Sequence, residues 1–90
     1  MDLKELRNEI DLLDDRIAEL FIERMDVVTR VAEYKRNNNV GITHADRENA
    51  ILDRVTEGGT RPYSPQLRAL FTDMMAISRG YQSSLNEKDL

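Results

Sequence analysis

Three cations punctuate an otherwise largely apolar stripe near the amino end of this 90-residue chain. Arg7, Ile10, Asp14, Ile17, Phe21, Arg24, Val28, Val31 and Lys35 follow one another at steps of three or four residues. Solvated charges on a helix normally lie opposite its apolar face, where Glu9, Glu19, Glu23 and Arg30 fall. Arg24 also stands where a Leu or Val is due in the neighbouring seam. Taken alone it reads as a snorkelling arginine with its head in water or against a carboxylate. Its company points elsewhere. Ser78 and Gln82, four residues apart, flank a later apolar stripe, and Arg47-Glu48 open a segment between the two. Singly, Ser78 could bond its own backbone, Gln82 could face water, and Arg47-Glu48 could be solvated charge. Jointly, Arg24, Lys35, Arg47, Glu48, Ser78 and Gln82 form a set of donors for an anion with one acceptor among them. Guanidinium groups grip carboxylate or phosphate in a two-pronged geometry, so the expected ligand is a small, multiply charged anion. No nucleophile is paired with a base. His44, the one imidazole in the chain, falls at a loop–helix junction where exposure is expected.

The composition removes several function classes. With 13 Lys+Arg against 17 Asp+Glu the formal net charge is −4, which argues against a general nucleic-acid binder. There is no cysteine and one histidine, so a disulfide framework, a thiolate or histidine-rich metal site and a thiol nucleophile all drop out, and no metal is expected. The charged opening MDLKELRNEIDLLDDR has no apolar signal core, and no stretch approaches the 18 or more apolar residues of a membrane span. The expectation is a soluble, cytoplasmic protein with neither nucleic acid nor membrane as partner. Only 40% of residues are hydrophobic, with no Trp, and chains this small have thin cores, so sharing a core with a second chain is favoured.

The elements that must position these groups read as three helices in a single domain spanning residues 1–90. Leu3, Leu6, Ile10, Leu13, Ile17, Leu20, Val27, Val31 and Tyr34 keep a three–four spacing, with Arg24 at the missing step and no Gly or Pro inside, which predicts one helix over about 3–36. At 1.5 Å per residue it is about 50 Å long, whereas a compact chain of this size has a radius of gyration of about 12 Å. A helix that long leaves its seam wet unless a second chain covers it. Asn37-Asn38-Asn39-Val40-Gly41 ends it. A second helix over about 44–57 is predicted, with Thr43 as cap and Asp46 as its partner, followed by a break at Gly58-Gly59-Thr60-Arg61-Pro62. Ser64-Pro65 reads as an N-cap followed by proline at the first helical position of a third helix, about 65–82. This helix carries Leu67, Leu70, Phe71, Met74, Ile77 and Tyr81 on one stripe. Gly80 inside it predicts close packing or early fraying, and 83–90 a polar tail. Spacing also limits the site. Arg24 and Lys35, 11 residues apart, are separated by about 16 Å, which a metabolite and two long side chains can bridge. Arg7 and Lys35, 28 apart, are separated by about 42 Å, so Arg7 can join the same kind of site only from the other subunit of an antiparallel pair.

The order Leu6-Arg7, Ile10, Leu13-Asp14, Ile17, Leu20, Arg24, then Val31 and Lys35, Asp46-Arg47-Glu48, Phe71, Ser78 and Gln82 resembles the all-α class of chorismate mutases over residues 3–82. The resemblance implies an intertwined all-helical homodimer converting chorismate to prephenate for Phe and Tyr synthesis, without a cofactor. By position it makes Arg24, Lys35, Arg47, Glu48, Ser78 and Gln82 substrate-binding residues of one subunit and Arg7 the arginine supplied by the other. Arg24, Lys35 and Gln82 are the catalytic candidates: the arginines hold the substrate carboxylates, Lys35 and Gln82 face the ether oxygen, Glu48 accepts from the ring hydroxyl, and Ser78 supports a carboxylate. Gly41-Ile42-Thr43-His44 stand where the family commonly has Pro-Val-x-Asp, and His44 is kept out of the catalytic set. Two other readings compete. One is a lyase on the same fold that removes pyruvate from isochorismate. The other is a non-catalytic helical dimerisation module, in which Arg24→Leu stabilises the protein.

Overall fold

The computed structural model describes residues 2–87 and places them in three α-helices: α1 (Leu3–Asn37), α2 (Ala45–Val55) and α3 (Ser64–Glu87). A single 3-10 turn, Glu57–Gly59, links α2 to α3, and there is no strand among the described residues. The all-α, three-helix architecture expected from the apolar spacing is the one observed.

Both ends of α1 have a local cause. The Asp2 side chain accepts from the Glu5 backbone N–H at 2.8 Å and caps α1, while Lys35 and Arg36 sit in its last turn, where the helix dipole favours cations. At the far end Asn38 bonds the Tyr34 carbonyl through both backbone and side chain, and Asn39 takes the left-handed conformation (φ 56°) that Asn tolerates. The α2 cap is His44 instead of the expected Thr43, and its ring turns back to the Gly41 carbonyl at 2.6 Å instead of bonding the helix. After Val55, Glu57, Gly58 and Gly59 all have positive φ, a run in which a right-handed helix cannot propagate. This loop wraps around Thr56, which is 1% exposed: its carbonyl accepts from the Gly59 and Arg61 backbone N–H groups and from Ser64 Oγ.

Ser64 departs from the expected N-cap role. It is the first helical residue, the Tyr63 carbonyl accepts the first helical bond from Leu67 N–H, and the serine hydroxyl faces backward to the Arg61 and Thr56 carbonyls. Gly80 neither packs closely nor ends α3. A Cβ built there meets nothing within 4 Å, and the helix continues to Glu87, so the first five residues of the expected polar tail are helical. Buried Ser78 and Gln82 on either side of Gly80 both bond side chains of α1, which holds the helix across the weak position. Residues 88–90 lie outside the described part.

The core is small. Ile51, Leu52 and Val55 of α2 meet Met75 of α3, with Phe71 packed against them, and on α1 Ala32 is the buried residue. Every residue of α1 from 3 to 20 is exposed, and the seam residues Leu3, Leu6, Ile10, Leu13, Ile17 and Leu20 keep between 43% and 63% of their surface. The first half of α1 therefore extends beyond the other two helices. The radius of gyration is 16.3 Å and the long dimension 54 Å, well above the roughly 12 Å radius of a compact chain this size. No helix among the described residues is long and apolar enough to cross a membrane.

Candidate active site

The three helices line an open cleft of about 540 Å³ between the second half of α1, the start of α2 and the second half of α3. Arg24 and Lys35 reach it from α1, Arg47 and Glu48 from α2, and Ser78 and Gln82 from α3, so six of the seven residues singled out in the sequence line one space. Arg7 does not; it is exposed on the projecting half of α1. The floor is apolar, formed by Val28, Val31, Ile51 and Met75 among others.

Local helix geometry explains this convergence. Arg24, Val28, Val31 and Lys35 occupy one face because successive steps of three or four residues return to the same side of a helix. On α3 the inward face is one step round from the expected one. Met75, Ser78 and Gln82 are buried, whereas Leu70, Ile77 and Tyr81 of the expected apolar stripe keep 49%, 52% and 39% of their surface. The polar pair is thus part of the packed side of α3, and an apolar ridge is left outside beside it.

Hydrogen bonds fix the donors. Arg24 Nη1 donates to Ser78 Oγ at 2.9 Å, and that hydroxyl in turn donates to the Met74 carbonyl at 2.9 Å. Ser78 therefore acts as the acceptor that aims the guanidinium. Lys35 Nζ donates to the Ile42 carbonyl at 3.0 Å and to Gln82 Oε1 at 3.4 Å. An ammonium only donates, so the Gln82 atom facing it is the oxygen, and the amide N–H₂ is left as a donor for something else. His44, kept out of the catalytic set, is exposed and also lines the cavity.

Arg79 is the residue that sequence reasoning missed. It lines the cavity and its Nη1 lies 2.5 Å from both Glu48 oxygens, joining α3 to α2. A signal existed, since Arg79 follows Met75 by four residues and precedes Gln82 by three, the spacing of one helical face. Its partner was not legible, because 31 residues separate the two in sequence. With Arg79 counted, Arg24, Lys35 and Arg47 bring the cations to four, against the single carboxylate of Glu48. A chain of net charge −4 thus concentrates positive charge over an apolar floor, an arrangement suited to a compact dianion with a hydrocarbon ring. Among the described residues no group of three or more His, Cys, Asp or Glu could hold a metal ion.

Similarity to known proteins points the same way. A chorismate mutase of Methanocaldococcus jannaschii is 38% identical over 53 residues, 59% of this chain and 54% of that protein. A bifunctional chorismate mutase/prephenate dehydratase of Aquifex aeolicus is 39% identical over 54 residues, 60% of this chain and 15% of its own length. The T-protein of Haemophilus influenzae is 40% identical over 50 residues, 56% of this chain and 13% of its length. The chain thus spans about half the length of one of these relatives and about a seventh of the others. No solved structure matches significantly. The family profile described as chorismate mutase type II matches residues 6–83, nearly the whole of the three-helix unit that carries the cavity, and the chain belongs to that family.

Proposed function

We propose that this chain acts as one helical domain that converts chorismate to prephenate. The observation that carries the reading is the convergence of Arg24, Lys35, Arg47, Glu48, Ser78 and Gln82, from three helices, on one apolar-floored cavity. The reaction is an intramolecular rearrangement in which the ether C–O bond breaks as a C–C bond forms, with electrons moving round a six-membered ring. It asks for no nucleophile and no proton transfer. The site has two tasks: to hold the substrate as a compact near-attack conformer, and to stabilise negative charge developing on the ether oxygen.

Arg24 and Arg47 hold substrate carboxylates, with Ser78 aiming the first of these guanidiniums. Lys35 and the free amide N–H₂ of Gln82 donate to the ether oxygen. Glu48 accepts from the ring hydroxyl. The ring lies on the apolar floor of Val28, Val31, Ile51 and Met75.

The functional unit is an antiparallel homodimer. The exposed seam of α1 and the exposed ridge of Leu70, Ile77 and Tyr81 on α3 support this, because a soluble chain seldom leaves so much contiguous apolar surface wet. Antiparallel pairing of two α1 helices brings Arg7 of the partner subunit to each cavity, where it adds a cation for a substrate carboxylate.

The deciding experiment incubates the purified protein with chorismate and, separately, with isochorismate. Loss of the chorismate ultraviolet absorbance with formation of prephenate is the expected result. Pyruvate release from isochorismate, or consumption of neither compound, overturns the assignment.

A further inference from the structure

Arg79 lines the cavity and has no part in the roles assigned above. We propose that it is a positioning residue: by fixing the Glu48 carboxylate in one orientation, it makes that group a preset acceptor and thereby determines how strongly the enzyme depends on the substrate's ring hydroxyl. This inference rests on the chorismate reading.

The contact is made by one nitrogen, Arg79 Nη1, to both carboxylate oxygens, with the two side chains 33% and 25% exposed. Engaging both oxygens stops rotation about the terminal torsion of a side chain that otherwise carries considerable rotamer freedom. It does not exhaust the acceptor. An ionised carboxylate offers about four lone-pair positions, and this contact takes one on each oxygen, so each retains capacity for a substrate O–H. Glu48 is moreover the one carboxylate lining the cavity, in the company of Arg24, Lys35 and Arg47. Released from Arg79, its flexible stem is free to leave that orientation, which costs the preset acceptor for the ring hydroxyl. The competing account makes the pair a strut that fastens α2 to α3 and nothing more.

The two accounts separate on a substrate change. Wild type, Arg79→Met, Arg79→Lys, Glu48→Gln and the Glu48→Gln/Arg79→Met double variant are assayed with chorismate and with the analogue carrying hydrogen in place of the ring hydroxyl; thermal melts by circular dichroism confirm folding. Arg79→Met is expected to lower kcat/KM for chorismate by roughly tenfold to a hundredfold, the range of one hydrogen bond to a charged group. For the analogue the loss stays within about twofold, because no hydroxyl contact remains to lose. Arg79→Lys restores most of the activity, since a single nitrogen makes both contacts and the guanidinium fork is not used. In the Glu48→Gln background, Arg79→Met adds little further loss, as expected of two residues acting through one contact. Equal losses on both substrates, or undiminished chorismate turnover in Arg79→Met, overturn the proposal while leaving the mutase reading intact. A wild-type protein inactive on chorismate overturns both.

Discussion

On the proposed reading, replacing Lys35 with alanine separates what this residue does for the reaction from what it does for the fold. Its ammonium has three N–H groups. The Ile42 carbonyl takes one at 3.0 Å and Gln82 Oε1 a second at a longer 3.4 Å, which leaves one for the ether oxygen. Removing a preorganised donor of this kind raises the barrier by about 3–4 kcal/mol, a rate loss of roughly a hundredfold to a thousandfold. The fold loses much less. One good hydrogen bond and one near the distance limit, both part-buried, contribute about 1 kcal/mol net, which for a chain of this size corresponds to a Tm lower by about 4–8 °C. Because the lost interaction is stronger in the transition state than in the ground state, the deficit belongs mainly in kcat and not in KM. Initial rates of chorismate disappearance over a range of concentrations, alongside a circular-dichroism melt, measure both quantities on one preparation. A Lys35→Ala protein that folds and retains kcat within about tenfold of wild type refutes the reasoning, since a donor worth so little is not stabilising the developing charge.

Three further outcomes follow from the same geometry. On the proposed antiparallel dimer, Arg7→Ala and Lys35→Ala should each be nearly inactive, but after the two are unfolded and refolded together in equal amounts about a quarter of the sites should be intact, because half the dimers would be mixed and each of those would have one complete site; no recovery on mixing refutes the contribution of Arg7 across the interface. Gln82→Glu should be poorly active at pH 8 and gain activity as the pH falls towards the ordinary glutamic acid range near 4.3, since only the protonated acid can donate to the ether oxygen; a pH profile parallel to wild type counts against Gln82 as a donor. Gly80→Ala should raise Tm by about 2–8 °C, because a Cβ there meets nothing within 4 Å and Gly inside a helix is about 0.5–1 kcal/mol less favourable than Ala; a fall in Tm shows that another chain's backbone packs against this face.

The helices themselves were legible because their signals are local. A three–four apolar spacing without Gly or Pro is a property of one segment, and it specified α1 to within a residue of its observed end. The same periodicity placed Arg24 and Lys35 on one face, and chain geometry alone set Arg7 too far from Lys35 to share a site within one subunit. Boundaries that depend on neighbours were less legible. Ser64 looks like a cap by composition, yet its hydroxyl is drawn to the Thr56 and Arg61 carbonyls, and α3 runs past Gly80 because Ser78 and Gln82 are tied to α1.

What the sequence by itself determined is therefore the helical class, the long first helix, and the set of polar residues whose types suit a small anion. Tertiary structure decided which side of α3 faces inward, that Ser78 accepts from Arg24, that Gln82 turns its oxygen to Lys35, and that Arg79 holds Glu48. The physical reason is the same in each case. Periodicity gives a residue's angle about its own helix axis, whereas a hydrogen bond between side chains 31 to 54 positions apart depends on how two axes cross; for α2 and α3 that crossing is settled by the packing of Ile51, Leu52 and Val55 against Met75.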